Sequence, residues 1–119
     1  MKLLRMLPFL EEEELEELVQ KIINKEFDNE KINPVCIIPF LNEEQVARLF
    51  NSSLKGEISI NPEKFLPFVS EKDLEEVLRK IEANEIDTIS ADSLLPFLNS
   101  DQIKKLFQDI LNDLKPQDK

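Results

Sequence analysis

Apolar positions in this chain recur in two alternating patterns. A short cluster, apolar–Pro–Phe–apolar, is followed by a longer stretch whose apolar residues fall three and four apart. That longer spacing places them on one stripe of an amphipathic helix. The four stripes are Leu15, Leu18, Val19, Ile22 and Ile23; Val46, Leu49, Phe50 and Leu54; Leu74, Val77, Leu78 and Ile81; and Ile103, Leu106, Phe107, Ile110, Leu111 and Leu114. Each predicts a helix of about three to four turns. Strands find almost no support; residues 57–60 alternate, but only briefly.

The short cluster is a repeated motif. Leu7-Pro8-Phe9-Leu10 returns as Ile38-Pro39-Phe40-Leu41, Leu66-Pro67-Phe68-Val69 and Leu95-Pro96-Phe97-Leu98, with the prolines 31, 28 and 29 residues apart. Six residues before three of these prolines stand Asn33, Asn61 and Ser90, all good N-cap types, and Pro34 and Pro62 follow at the first helical position. Ile32, Ile60 and Ile89 precede the caps, with Ile37, Phe65 and Leu94 five residues on, the arrangement of a hydrophobic staple. A short helix of about two turns therefore starts at each cap, and the motif proline ends or kinks it. A second start signal follows at once. Asn42, Ser70 and Asn99 stand three residues before Gln45, Asp73 and Gln102, a capping-box spacing, and Gly56 and Asn84 fall where a left-handed residue closes the long helix.

The expected architecture is all-α: a compact α-solenoid-like stack of four helix-turn-helix repeats of about 29 residues. One domain spans 1–119, with repeats at about 1–30, 31–58, 59–87 and 88–115 and a tail at 116–119. One such hairpin cannot bury its apolar faces alone, so neighbours share a continuous core. Pro8, Phe9, Pro39, Phe40, Pro67, Phe68, Pro96 and Phe97 are the structural repeat motif, and its Phe column is expected at the junctions between units. The first unit departs from the pattern: Lys2 holds its cap position, and its exit loop, 27–31, is two or three residues longer. It reads as a unit cut at a boundary or a worn end cap, with Leu3 and Leu7 exposed and available for homodimerisation. Ser53 and Glu82 interrupt the apolar columns. They are expected at the edge of the stripe, or else as a local opening for a ligand.

Composition narrows the chemistry. The 119 residues include 25 acidic and 15 basic, a net charge of −10, and contain no His, Trp or Tyr, one Gly and one Cys. Such a charge repels phosphate backbones and anionic membrane surfaces, so no nucleic-acid or membrane partner is expected. No apolar run approaches the roughly 20 residues of a membrane span. The lone Cys excludes an internal disulfide and favours the cytoplasm. Without His there is no Ser–His or Cys–His pair, and one Gly cannot build a phosphate loop. No catalytic, cofactor-binding or metal residue is expected, and the chain is read as a non-enzyme.

Helix pairs of this period in an acidic chain raise the possibility of calcium loops, which need oxygen ligands at positions 1, 3 and 5, Gly at 6 and Glu at 12. Starting at Asn51, position 5 is Lys55 and position 12 is Pro62. In two other loops position 12 is Cys36 or Ser93, so the pattern fails. Residues 11–17 hold six Glu, of which several suit the first turn of a helix. Glu12, Glu13, Glu16 and Glu17 form the candidate partner patch. Cys36 aligns with Arg5, Lys64 and Ser93, a polar column, so it is expected near the surface.

The motif, followed by Ser or Asn and an acidic amphipathic helix, resembles short α-helical hairpin repeats of uncharacterised Firmicutes proteins, some of which accompany domains tied to cell-envelope stress. The resemblance spans 3–114 and carries no catalytic residue. It implies a bacterial repeat protein. The function expected is a non-enzymatic protein-interaction or scaffolding module, whose partner is another protein or another part of a larger parent. The alternatives are a regulatory module binding a small ligand or cation, and an acidic decoy of a nucleic-acid-binding protein.

Overall fold

The computed structural model describes residues 3–27 and 33–116. The cap position at Lys2, the staple residue Ile32, most of the loop at 27–31 and the end of the tail lie outside them. Eight helical segments are present among the described residues, and none of these residues is in a strand. The long helices are α2 (Glu12–Ile23), α3 (Glu43–Leu54), α4 (Glu71–Glu82) and α6 (Ser100–Leu114). Each follows a short segment. Units 2 and 3 have 3-10 helices at Pro34–Phe40 and Pro62–Phe68. Units 1 and 4 have one α turn, α1 (Leu3–Met6) and α5 (Ala91–Leu94), running into 3-10 turns at Leu7–Phe9 and Leu95–Phe97.

The short segments are thus tighter than the two α turns expected. Asn33 Oδ1 accepts from Val35 N at 3.0 Å, and Asn61 Oδ1 accepts from Glu63 N at 3.0 Å. With the backbone bonds from Cys36 N to Asn33 O and from Lys64 N to Asn61 O, these wind an i→i+3 turn from the start. Each segment then meets its motif proline, which lacks the donor an α helix requires.

Three of the long helices begin where the polar signals place them, and α2 begins at a capping box of Glu11 and Glu14. Gln45 N donates to Asn42 Oδ1 at 2.8 Å, and Asn42 N donates to Gln45 Oε1 at 3.0 Å; Asn99 and Gln102 repeat the exchange. Ser70 accepts from Asp73 N without the reciprocal bond. Three long helices close with a left-handed residue: Lys25 (φ 60°), Gly56 (φ 74°) and Asn84 (φ 61°). In each case the next amide reaches back across the last turn, as Glu57 N does to Ser52 O at 2.9 Å. Gly56 and Asn84 were legible as closers. Lys25 was not, because its side chain carries no such preference. No atom lies within 4 Å of a Cβ built on Gly56. Gly56→Ala should therefore cost only the backbone term, about 1–2 kcal/mol, and Lys25→Gly should recover up to about that much. Urea midpoints of both variants check this.

The units stack along one axis. The molecule measures 67 × 25 × 19 Å, and its radius of gyration is 17.4 Å, against about 13–14 Å for a globular domain of this length. Two long helices pack on the short segment of the next unit: α3 against Pro62–Phe68, α4 against α5. Short segments also pack on one another, and α2 lies against α3. The core is one continuous cluster from Leu7 to Leu94. Ile58 and Ile60 join it while Glu57 and Ser59 face out, so the brief alternation of 57–60 is real without making a strand.

Candidate docking surface

In a 3-10 helix residues three apart share a face. Each motif segment therefore has a leading face, a trailing face and an outer face. The residue two before the motif proline and the Phe after it point toward the preceding unit. The residue just before the proline points toward the following unit. The proline itself points outward, and Pro8, Pro39, Pro67 and Pro96 are all exposed.

Burial along these columns follows the neighbours. On the leading face Ile37, Phe65 and Leu94 are fully buried, whereas Met6 in unit 1 is 41 % exposed. On the trailing face Leu7, Ile38 and Leu66 are buried, whereas Leu95 in unit 4 is 42 % exposed. Two expectations are corrected here. The motif Phe are not the buried centre of the junctions: Phe40, Phe68 and Phe97 lie at their rim, 37 to 41 % exposed, and Phe9 is 84 % exposed. The centre is held by the two residues before each proline. Nor is Leu7 exposed, because unit 2 covers it.

The larger open face is at the other end. On α6 Ile103 and Phe107 occupy columns that are buried in units 1 to 3, yet both are exposed, as are Ile110, Leu111 and Leu114 further along the helix. Phe107 is 55 % exposed, while Val19, Phe50 and Leu78 in the same column are buried. Together with Leu95 they form an apolar face that no described residue covers. A monomer seldom displays so many large apolar side chains on one helix without a use for them. The sequence displayed this stripe openly. What it did not display is which columns each unit relies on its successor to bury.

The acidic patch on α2 divides. Arg48 Nη2 reaches Glu16 Oε1 at 2.6 Å and Oε2 at 2.7 Å, and Asn42 Nδ2 donates to Glu12 Oε1 at 3.4 Å. Glu12 and Glu16 thus help join unit 1 to unit 2. The ion pair is half exposed and worth about 0–1 kcal/mol. Glu13 and Glu17 remain exposed and outside these contacts.

The two interrupted columns also separate. Ser53 is not at the stripe's edge but buried, its hydroxyl donating to Phe50 O of its own helix at 2.7 Å. That bond satisfies the only polar group the substitution introduced. Glu82 is exposed and lines a groove of about 440 Å³ between α4 and α6, with Lys72, Glu75, Glu76, Arg79 and Lys105 around it. The groove is crossed by the bond from Gln102 Nε2 to Glu71 O at 3.3 Å. Cys36 is exposed, on the outer face that its polar column indicates. Among the described residues no group of three His, Cys, Asp or Glu is placed to hold a metal ion, and no helix is long and apolar enough to cross a membrane. Comparison with known proteins gives no match: no family model fits the chain, and no curated protein or solved structure is similar to it.

Proposed function

We propose that the chain is a non-enzymatic protein-interaction or scaffolding module built from helical repeats, and that it docks through the trailing face of unit 4. The observation that carries this reading is the exposure of Ile103 and Phe107 in columns that every other unit buries. The resemblance to bacterial hairpin repeats and the exposed, unpaired Cys36 support a module of the bacterial cytoplasm, where thiols stay reduced. The acidic patch is a weaker candidate, because Glu12 and Glu16 serve the first junction.

A pulldown from lysate of the source organism tests the docking role, with the chain and its Phe107→Glu/Ile110→Glu variant as parallel baits. A stoichiometric partner that survives high salt on the first bait and disappears from the second is the expected result. Equal capture by both baits would remove the face from consideration. The groove beside Glu82 favours a second reading, a site for a small ligand held by the charged side chains that line it. A ligand bound there would raise the melting temperature, and Glu82→Ala would reduce the gain.

A further inference from the structure

The two ends of the stack are exposed in complementary ways, and from this we infer that the trailing face of unit 4 receives the leading face of unit 1 of a second copy, so that chains stack head to tail. This rests on the docking role given to that face above and names its occupant.

Such a contact would continue the interface already inside the molecule. Each internal junction seats a leading face on the trailing face of the unit before it. The two faces left without a neighbour are of these same two kinds. Met6 and Phe9 stand open on the leading side of unit 1, and Leu95, Ile103 and Phe107 stand open on the trailing side of unit 4. Phe9 is far more exposed than Phe40, Phe68 and Phe97, and the difference is what a preceding unit covers.

The charges at the two ends are complementary as well. Two side-chain contacts seen between internal units can be moved, position for position, onto the boundary between copies. The Glu16–Arg48 pair joins the residue eight after one motif proline to the residue nine after the next. At the new boundary those positions are Lys104 and Glu17, again of opposite sign. Ser93 donates to Glu63, joining the residue three before one proline to the residue four before the previous one. At the new boundary those are Arg5 and Asp92, also opposite. Both matches arise in a chain of net charge −10, where random juxtaposition would more often place like charges together.

Other internal contacts do not carry over. The Asn42–Glu12 positions become Glu11 and Ser100, which lack the amide donor. Gln102 Nε2 donates to Glu71 O across the third junction. Unit 1 has Glu14 at that position, and a carboxylate has no proton to give to the Ser100 carbonyl that would face it. Glu14→Gln should therefore tighten the stack.

Such an interface is heterologous, so it propagates into open chains rather than stopping at a symmetric pair. Sedimentation equilibrium of the full chain, from micromolar to millimolar concentration, is the test. The wild type is expected to grow beyond the dimer as concentration rises, and Glu14→Gln to do so at several-fold lower concentration. Phe9→Glu and Phe107→Glu should each be monomeric. Both side chains are already exposed, so unchanged helicity and melting show that these variants fold. Mixed in equal amounts, the two should form a dimer and nothing larger, because each retains one intact face. A wild type that stays monomeric throughout overturns the stack, as does a dimer that persists in Phe9→Glu, which would join trailing faces back to back. Either result leaves the docking role itself to the pulldown, which reads it with a different partner.

Discussion

Replacing Phe65 by Ala is expected to lower the stability of the whole molecule by about 3–5 kcal/mol. Phe65 is fully buried on the leading face of unit 3, its ring centroid 5.9 Å from that of Phe50 and tilted by 51°. The pair sits where α3 packs on Pro62–Phe68, the middle junction of the stack. Truncation removes one of the two largest side chains of that junction and leaves a cavity that neither rigid segment can easily close. Domains are stable by only about 5–15 kcal/mol in total, so this one change could consume a large part of the margin. The chain has no Trp or Tyr, so urea unfolding is best followed by far-UV circular dichroism. Phe9→Ala is the control: its side chain is almost free of contacts and its loss should stay within about 0.5 kcal/mol. A loss at Phe65 no larger than that at Phe9 would contradict the assignment of leading-face residues as the centres of the junctions.

Leu94→Ala is expected to cost about 2–5 kcal/mol locally, but to detach one unit rather than unfold the chain. Leu94 is the fully buried residue of α5, which packs on α4. Unit 4 has a neighbour on one side only, and α6 buries little of its own stripe. In a linear stack each unit is stabilised by its own folding and by its junctions, so a terminal unit with one weakened junction opens first. Hydrogen exchange should show amides of 91–114 losing protection while those of α2 and α3 keep theirs. Equal loss along the whole chain would mean that the stack folds as a single cooperative block. The same variant bears on the docking face, since α6 presents its apolar side only while α5 holds it in place.

Much of this fold was readable from local chemistry. Asn42 with Gln45 and Asn99 with Gln102 announced their helix starts, because a capping box is completed within four residues. Gly56 and Asn84 announced two helix ends, because few residues tolerate a positive φ. The four motif copies announced the period. The candidate site was less legible. The acidic patch drew attention through density of charge, yet half of it turned out to be occupied in joining units 1 and 2. The stripe of α6 looked like three others except at Leu114, where the other units have Glu26, Glu57 and Glu85.

The order and period of the hairpins, the caps of the long helices and their apolar stripes were determined by the sequence alone, since each depends on contacts within one turn or one unit. Which side of each short segment meets a neighbour was decided only by the tertiary structure. The motif prolines tighten that segment into a 3-10 turn, which rotates Phe9, Phe40, Phe68 and Phe97 to the rim and turns the residues before each proline inward. Burial in a stacked protein is supplied by the next unit and not by the residue itself, so identical columns are core in the interior and surface at the ends. That is why Leu7 is buried and Leu95 is not, although both precede the same proline in the same motif.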